Sequence, residues 1–136
     1  MVTVVPPKVV LMSIRPEYAQ KILGGEKRVE LRRQRPRLVQ GDIVAVYITS
    51  PVRELAGAFA VEGVLSLSVA SMWRRFGSEL GIDRASYKAY FDGCAKAHGI
   101  TIGRAWASTP LGLDALRRRF DGFVPPQSYM FWPERW

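Results

Sequence analysis

Between positions 24 and 33 the chain reads Gly24-Gly25-Glu26-Lys27-Arg28-Val29-Glu30-Leu31-Arg32-Arg33, four cations and two carboxylates in ten residues. Three of these groups could do chemistry together. Arg32 can offer a bidentate fork to a phosphate or a base edge, and Glu30 can hold that fork or accept from an exocyclic amine. Lys27 supplies a point charge for a phosphate, or a polariser if a bond is to be broken. With arginines on both sides, its ammonium form is expected to be disfavoured. Read as a strand from Arg28 onward, the side chains alternate: Val29 and Leu31 enter a core, while Arg28, Glu30 and Arg32 share the opposite face. Lys27 then falls in the turn after the glycines, where the backbone can swing it toward Glu30. The competing reading is an exposed ion-pair ladder on an edge strand, worth little.

The elements before this stretch would position it. Lys8 to Ile14 is a compact apolar run, read as a buried strand. Pro16 suits a first helical position, Glu17 the positive end of a helix and Lys21 its negative end. Tyr18, Ala19, Ile22 and Leu23 form one apolar face, and Gly24-Gly25 supplies the C-cap. Residues 1–7 are set aside as a leader, 8–131 as one domain and 132–136 as a tail.

Further on, Gly41-Asp42 makes a turn, and Ile43 to Thr49 reads as a strand covered on both faces, with Ser50-Pro51 as its end. Leu55 to Leu67 is a strand bent or bulged at Gly57 and Gly63. Ser68 or Ser71 caps a helix carrying Met72, Trp73, Phe76 and Leu80; Asp83 caps another that ends at Gly93. Another strand starts at Ile100 and runs to about Ala107, a short helix carries Leu113, Leu116 and Phe120, and Tyr129 to Phe131 closes the set. Five to six strands with unevenly spaced helices and glycine bends give an α+β class, a small mixed β-barrel with peripheral helices. Sustained strand–helix alternation, P-loops and GxGxxG patterns are absent.

Length and composition narrow the function classes. The chain has 136 residues, 48% hydrophobic and 24% charged, which suits one domain with its own core. A net charge of +8 favours an anionic partner, RNA or a nucleotide-like ligand. One cysteine, Cys94, and one histidine, His98, provide neither a disulfide framework nor a zinc set, so no metal and no cofactor are expected. No apolar run is long enough to span a bilayer, and the start lacks a signal-peptide pattern, so a cytoplasmic protein is expected.

Several other residues carry two readings. Arg33, Arg35 and Arg37 track a phosphodiester backbone or are solvated loop charges. Tyr47 is core packing or, near its strand end, a platform on which a base stacks. Arg117 to Arg119 read as a solvated helix face, and Trp73, Phe76, Tyr87, Tyr90 and Phe91 as helix packing. Trp132 and Trp136 fold back on the sheet or reach a partner. His98 reads as structural and Cys94 as an inert thiol.

Gly25, Lys27, Glu30 and Arg32 fit the pattern G-x-K-x-x-E-x-R. With Ser13 to Ala19, Gly41-Asp42, Ser50-Pro51-Val52 and the late Pro-Pro-Gln-Ser before an aromatic strand, the chain resembles the ASCH family over about residues 8 to 131. That resemblance implies a PUA-like β-barrel whose cleft, lined by the motif, binds RNA, with Lys27, Glu30 and Arg32 facing it and Ser50 and Pro51 on the loop opposite. Some members are amidohydrolases of acetylated cytidine that use the motif lysine and a threonine, whose place Glu30 takes here; others cleave RNA. The expected function is therefore an RNA- or nucleotide-binding module. The alternative is a small hydrolase on the same scaffold, a ribonuclease or amidohydrolase, with Lys27 as polariser and Glu30 as general base.

Overall fold

The computed structural model describes residues 6–132. Six strands, β1 (Val9–Ile14), β2 (Val29–Arg32), β3 (Ile43–Ile48), β4 (Glu54–Ser68), β5 (Lys96–Gly112) and β6 (Tyr129–Phe131), form one mixed sheet in the order β2-β5-β4-β3-β1-β6. Only β1 and β3 run parallel; every other neighbouring pair is antiparallel. The four helices are α1 (Pro16–Leu23), α2 (Val69–Phe76), α3 (Arg84–Tyr90) and α4 (Leu113–Arg119), with a 3-10 turn at Gly77–Glu79.

The sequence pattern explains the layers. Along β1, Val10, Met12 and Ile14 face one core while Leu11 faces another; along β3, Val44, Val46 and Ile48 join the first and Tyr47 the second. Two strands buried on both faces must read as continuous apolar runs, and they do. The central core also takes Ala19 and Ile22 from α1, Phe59 and Val61 from β4 and Ile100 and Ile102 from β5. A second cluster packs Val29, Leu31 and Ala97 against Met72, Tyr87 and Phe91, so α2 and α3 cover the outer face of β2 and β5. Ser68 accepts a hydrogen bond from the Ser71 N–H and Asp83 from the Ser86 N–H, which places both helix starts at their capping residues. The third cluster sets α4 on the outer side of β1 and β3 through Leu116, with Phe123 from the following loop. There Trp132 meets Phe120 edge-on at 5.5 Å, so this part of the tail folds back; Trp136 lies outside the described residues.

One expectation needs correction: the sheet does not close into a barrel. Its ladder ends at β2 on one side and β6 on the other. These edge strands have four and three residues and form no ladder with each other. Side chains span it instead, Arg32 Nη1 donating to Ser128 Oγ at 3.2 Å and the Arg37 N–H to the Tyr129 hydroxyl oxygen at 3.2 Å. The curl that brings the edges this close comes from β4 and β5, 15 and 17 residues long, whose pairing slips at three places between Leu55 and Gly63. β5 is also longer than the apolar residues suggest, because its Ser108-Thr109-Pro110 arm is exposed and leaves no apolar signature.

Gly57 lies at the first of these slips. A Cβ there would lie 2.4 Å from the Trp106 carbonyl oxygen and 2.8 Å from Leu23 Cδ2, whereas at Gly63 the nearest atom is Thr101 Oγ1 at 3.5 Å. Gly57→Ala should therefore cost about 1–3 kcal/mol in urea unfolding, since backbone has to move. Gly63→Ala should stay within about 0.5 kcal/mol of the parent.

Candidate functional site

A cleft of about 730 Å³ opens where β1 and β3 end, between α1, β2 and α3. Its lining includes Arg15, Tyr18, Lys21, Lys27, Glu30, Arg32, Thr49, Asp83, Ser86 and Tyr90. The short motif reaches it by two routes. β2 alternates, so Val29 and Leu31 enter the outer core and Glu30 and Arg32 turn the other way, as its sequence implies. Lys27 precedes the strand, in a turn whose N–H donates to the Lys21 carbonyl at 3.0 Å, and its stem runs beneath Gly81. Gly81 has φ +62°, and a Cβ there would sit 2.8 Å from Lys27 Cβ; only glycine admits the lysine.

Glu30 joins the cations. Its Oε2 accepts from Arg32 Nη2 at 2.7 Å, and its Oε1 lies 3.8 Å from Lys27 Nζ, outside hydrogen-bond reach. Lys27 Nζ donates to the Leu80 carbonyl oxygen and sits 5.3 Å from the Tyr18 ring centroid. Arg32 Nη2 also donates to the Ser13 carbonyl oxygen at 3.3 Å, and its Nε is buried without a partner. The side chains of Lys27 and Glu30 are only 2% and 8% exposed, which excludes the solvated ladder. A buried pair of this kind contributes little net stability and costs desolvation, so its value lies elsewhere than in holding the fold.

Burial lowers the Lys27 pKa, aided by Lys21 and Arg32, while Glu30 opposes the shift. Lys21 Nζ is itself committed, donating to the Gly81 carbonyl oxygen at 3.1 Å. Tyr18 titrates above the usual tyrosine value, mainly through burial.

The remaining candidates are dispersed. Arg33 lies at the rim: its Nε donates to the Tyr90 carbonyl oxygen at 2.6 Å and its guanidinium stacks 4.4 Å from the Tyr90 ring centroid. Arg35 turns toward β4, donating to Ser66 Oγ at 2.7 Å, and Arg37 stands by Tyr129. Neither Tyr47 nor the exposed Ser50 and Pro51 line the cleft; Thr49 does. Tyr47 is 3% exposed and packs 6.2 Å from Phe123, because the strand period assigns it to the face opposite Val46 and Ile48. Arg28 also leaves the shared face expected of it. β2 begins one residue later, so Arg28 donates instead to the Ile102 carbonyl oxygen at 3.2 Å and lines a second, smaller hollow with Arg104. Residues the sequence did not single out are Tyr18, taken there for core, Thr49, Asp83, Ser86 and Gln127; the polar positions flanking strand ends and helix starts were the available signal. Among the described residues no cluster of three His, Cys, Asp or Glu is placed to hold a metal, and no helix is long and apolar enough to cross a membrane.

Comparison with known proteins matches residues 12–105 to the ASCH domain model. An ASCH domain-containing ribonuclease of Zymomonas mobilis is 32% identical over 121 residues, covering 89% of this chain and 82% of that one. The crystal structure of ASCH from Zymomonas mobilis superposes with a TM-score of 0.89 at 30% identity, over 94% of this chain and 90% of that one. A large ribosomal subunit protein uL22 of Ureaplasma parvum is 30% identical over 100 residues, 71% of this chain but only 31% of that longer protein.

Linkage gives the lysine a measurable signature. With its folded pKa below the ordinary lysine value of 10.5, the unfolded chain binds more protons in the window between the two, so stability rises with pH there. The difference in unfolding free energy between the parent and Lys27→Met should move in the parent's favour across that alkaline window, measured by urea titration. A difference that stays flat would mean the ammonium is not penalised by its burial.

Proposed function

The chain belongs to the ASCH domain family, and on that footing we propose that it is a ribonuclease acting on single-stranded RNA, with the cleft as its active site. The observation that carries the reading is the buried Lys27–Glu30–Arg32 group at the cleft floor: two cations around one carboxylate whose Oε1 has no hydrogen bond. The similarity to a Zymomonas ribonuclease supports turnover over binding alone, the function expected first from the sequence. With Lys27 and Glu30 nearly buried at its floor, the cleft suits a splayed single strand better than a duplex, and the net charge of +8 draws polyanions to it.

In this reading Arg32 and the Lys27 ammonium hold the non-bridging oxygens of a phosphodiester and stabilise the charge that develops on them. Glu30 Oε1 takes the proton of the adjacent 2′-hydroxyl as its oxygen attacks phosphorus. The O2′–P bond forms, the P–O5′ bond breaks, and O5′ leaves with a proton from Lys27, whose lowered pKa makes its ammonium a better donor than an ordinary lysine. The products are a 2′,3′-cyclic phosphate and a 5′-hydroxyl, with the protein two proton transfers from its starting state. Tyr18 offers a ring on which a flanking base stacks.

Three variants test this on a short fluorescent oligoribonucleotide. Glu30→Gln, confirmed folded by circular dichroism, should cut the cleavage rate by about 100-fold or more, the scale of lost general acid–base catalysis. Lys27→Met should do the same, and Arg32→Lys should weaken binding by about tenfold, since the fork is lost and the charge kept. The parent's rate should fall at a pH below the ordinary lysine range, as Lys27 loses its proton. Cleavage that survives Glu30→Gln would place the chemistry elsewhere.

A further inference from the structure

On the same face of the sheet, one strand further in from Arg32, lies a cluster that the proposed reaction does not use. His98 on β5 stands directly opposite Arg32 on β2 and opposite Ser66 on β4. Residues directly opposite in antiparallel pairs project to the same side, so Arg32, His98 and Ser66 form one row across three strands. The loop after β2 brings Arg35 to the far end of that row. Arg35 Nη1 donates to Ser66 Oγ at 2.7 Å, and Ser66 Oγ lies 2.7 Å from His98 Nδ1.

These contacts fix the histidine. The Ser66 oxygen accepts from Arg35, and its own hydrogen is free to go to His98 Nδ1, the arrangement that puts the imidazole proton on Nε2. Burial lowers the His98 pKa, and Arg35 and Lys96 lower it further. Lys96, two residues back on β5, is exposed, as is Arg35. Among the described residues neither Arg35 nor Lys96 is paired with a carboxylate; the ion pairs are Lys8–Asp42, Lys27–Glu30 and Arg32–Glu30. Two cations and an imidazole are thus gathered with no carboxylate paired to them, in line with the guanidinium that ends the cleft.

We propose that Arg35, Ser66 and His98, with Lys96 beside them, form a second phosphate subsite, which takes the phosphodiester next to the one bound at Lys27 and Arg32. The proposal rests on the ribonuclease reading for the identity of the ligand. Arg35 pairs with a non-bridging oxygen, His98 donates from Nε2, and Ser66 holds both in place. Cross-strand neighbours stand about 5 Å apart, so the row offers a step comparable to the repeat of a nucleotide backbone. The subsite would make the protein prefer a strand with at least two phosphates over a dinucleotide with one.

Binding, rather than cleavage, tests it, using 2′-O-methyl oligonucleotides that cannot react. A labelled hexanucleotide should bind Arg35→Ala and His98→Gln about tenfold more weakly than the parent, while the affinity for a dinucleoside monophosphate stays within twofold. The salt slope for the hexanucleotide should fall by about 0.7 in Arg35→Ala, the share of one phosphate contact on a single strand. His98 is the chain's one histidine, so its ring resonances report without assignment; the hexanucleotide should raise its titration midpoint and leave the proton on Nε2. Equal losses for both ligands, unchanged hexanucleotide affinity or an unmoved histidine midpoint would each overturn the subsite. Failure of the ribonuclease reading is seen separately, as unmodified RNA left intact by the parent protein.

Discussion

Everything at the cleft depends on one carboxylate held between two cations. Without Glu30, Lys27 would be an ammonium buried beside Leu80 and Tyr18 with no counterion, which costs several kcal/mol per ion. Without Lys27 and Arg32, Glu30 would be equally stranded. None of these groups is stable in place alone, and the pair Lys27–Glu30 is nine-tenths or more hidden from solvent. The backbone accommodates them at some cost: a positive φ at Gly81, a turn before β2, and the Leu80 carbonyl given to the lysine. A fold optimised for stability alone would place methionine or leucine at these positions. Their burial therefore argues for chemistry in a way that a surface cluster of the same residues would not.

The sheet makes this possible through an unusual division of faces. β1 and β3 are buried on both sides, which makes them rigid rails; the cleft opens at their ends, where helix and strand termini leave polar groups unspent. β2 contributes only four residues, yet its period of two separates a hydrophobic pair that anchors it from a charged pair that lines the cleft. α2 and α3 then press on the anchored side, so the charged side is fixed by packing it does not touch.

Much of this was legible in the sequence. Period two in Val29-Glu30-Leu31-Arg32, the glycines that end α1, and the capping residues Ser68 and Asp83 each specify local geometry with little competition from elsewhere. The misreadings share a cause. Tyr47 was offered to the ligand because an aromatic near a strand end can stack, but α4 and Phe123, 76 residues on, cover that face. Arg28 was assigned by extending a strand one residue too far. Barrel closure was inferred from glycine bends, whose presence reports curvature and not whether the last two edges meet. The contacts of His98, read from the sequence as structural, leave no local sign, because Ser66 and Arg35 lie 32 and 63 positions away.

The gap between β2 and β6 has a consequence of its own. A closed barrel opens only by breaking ladder hydrogen bonds, in step with its core; this sheet ends in two short strands tethered by Arg32 to Ser128 and by Arg37 to Tyr129. Among the described residues, only these two hydrogen bonds, and no strand ladder, join the two edges across the seam. Side-chain contacts there take the place that strand pairing holds in a closed barrel, so the seam's integrity rests on four residues rather than on a ladder.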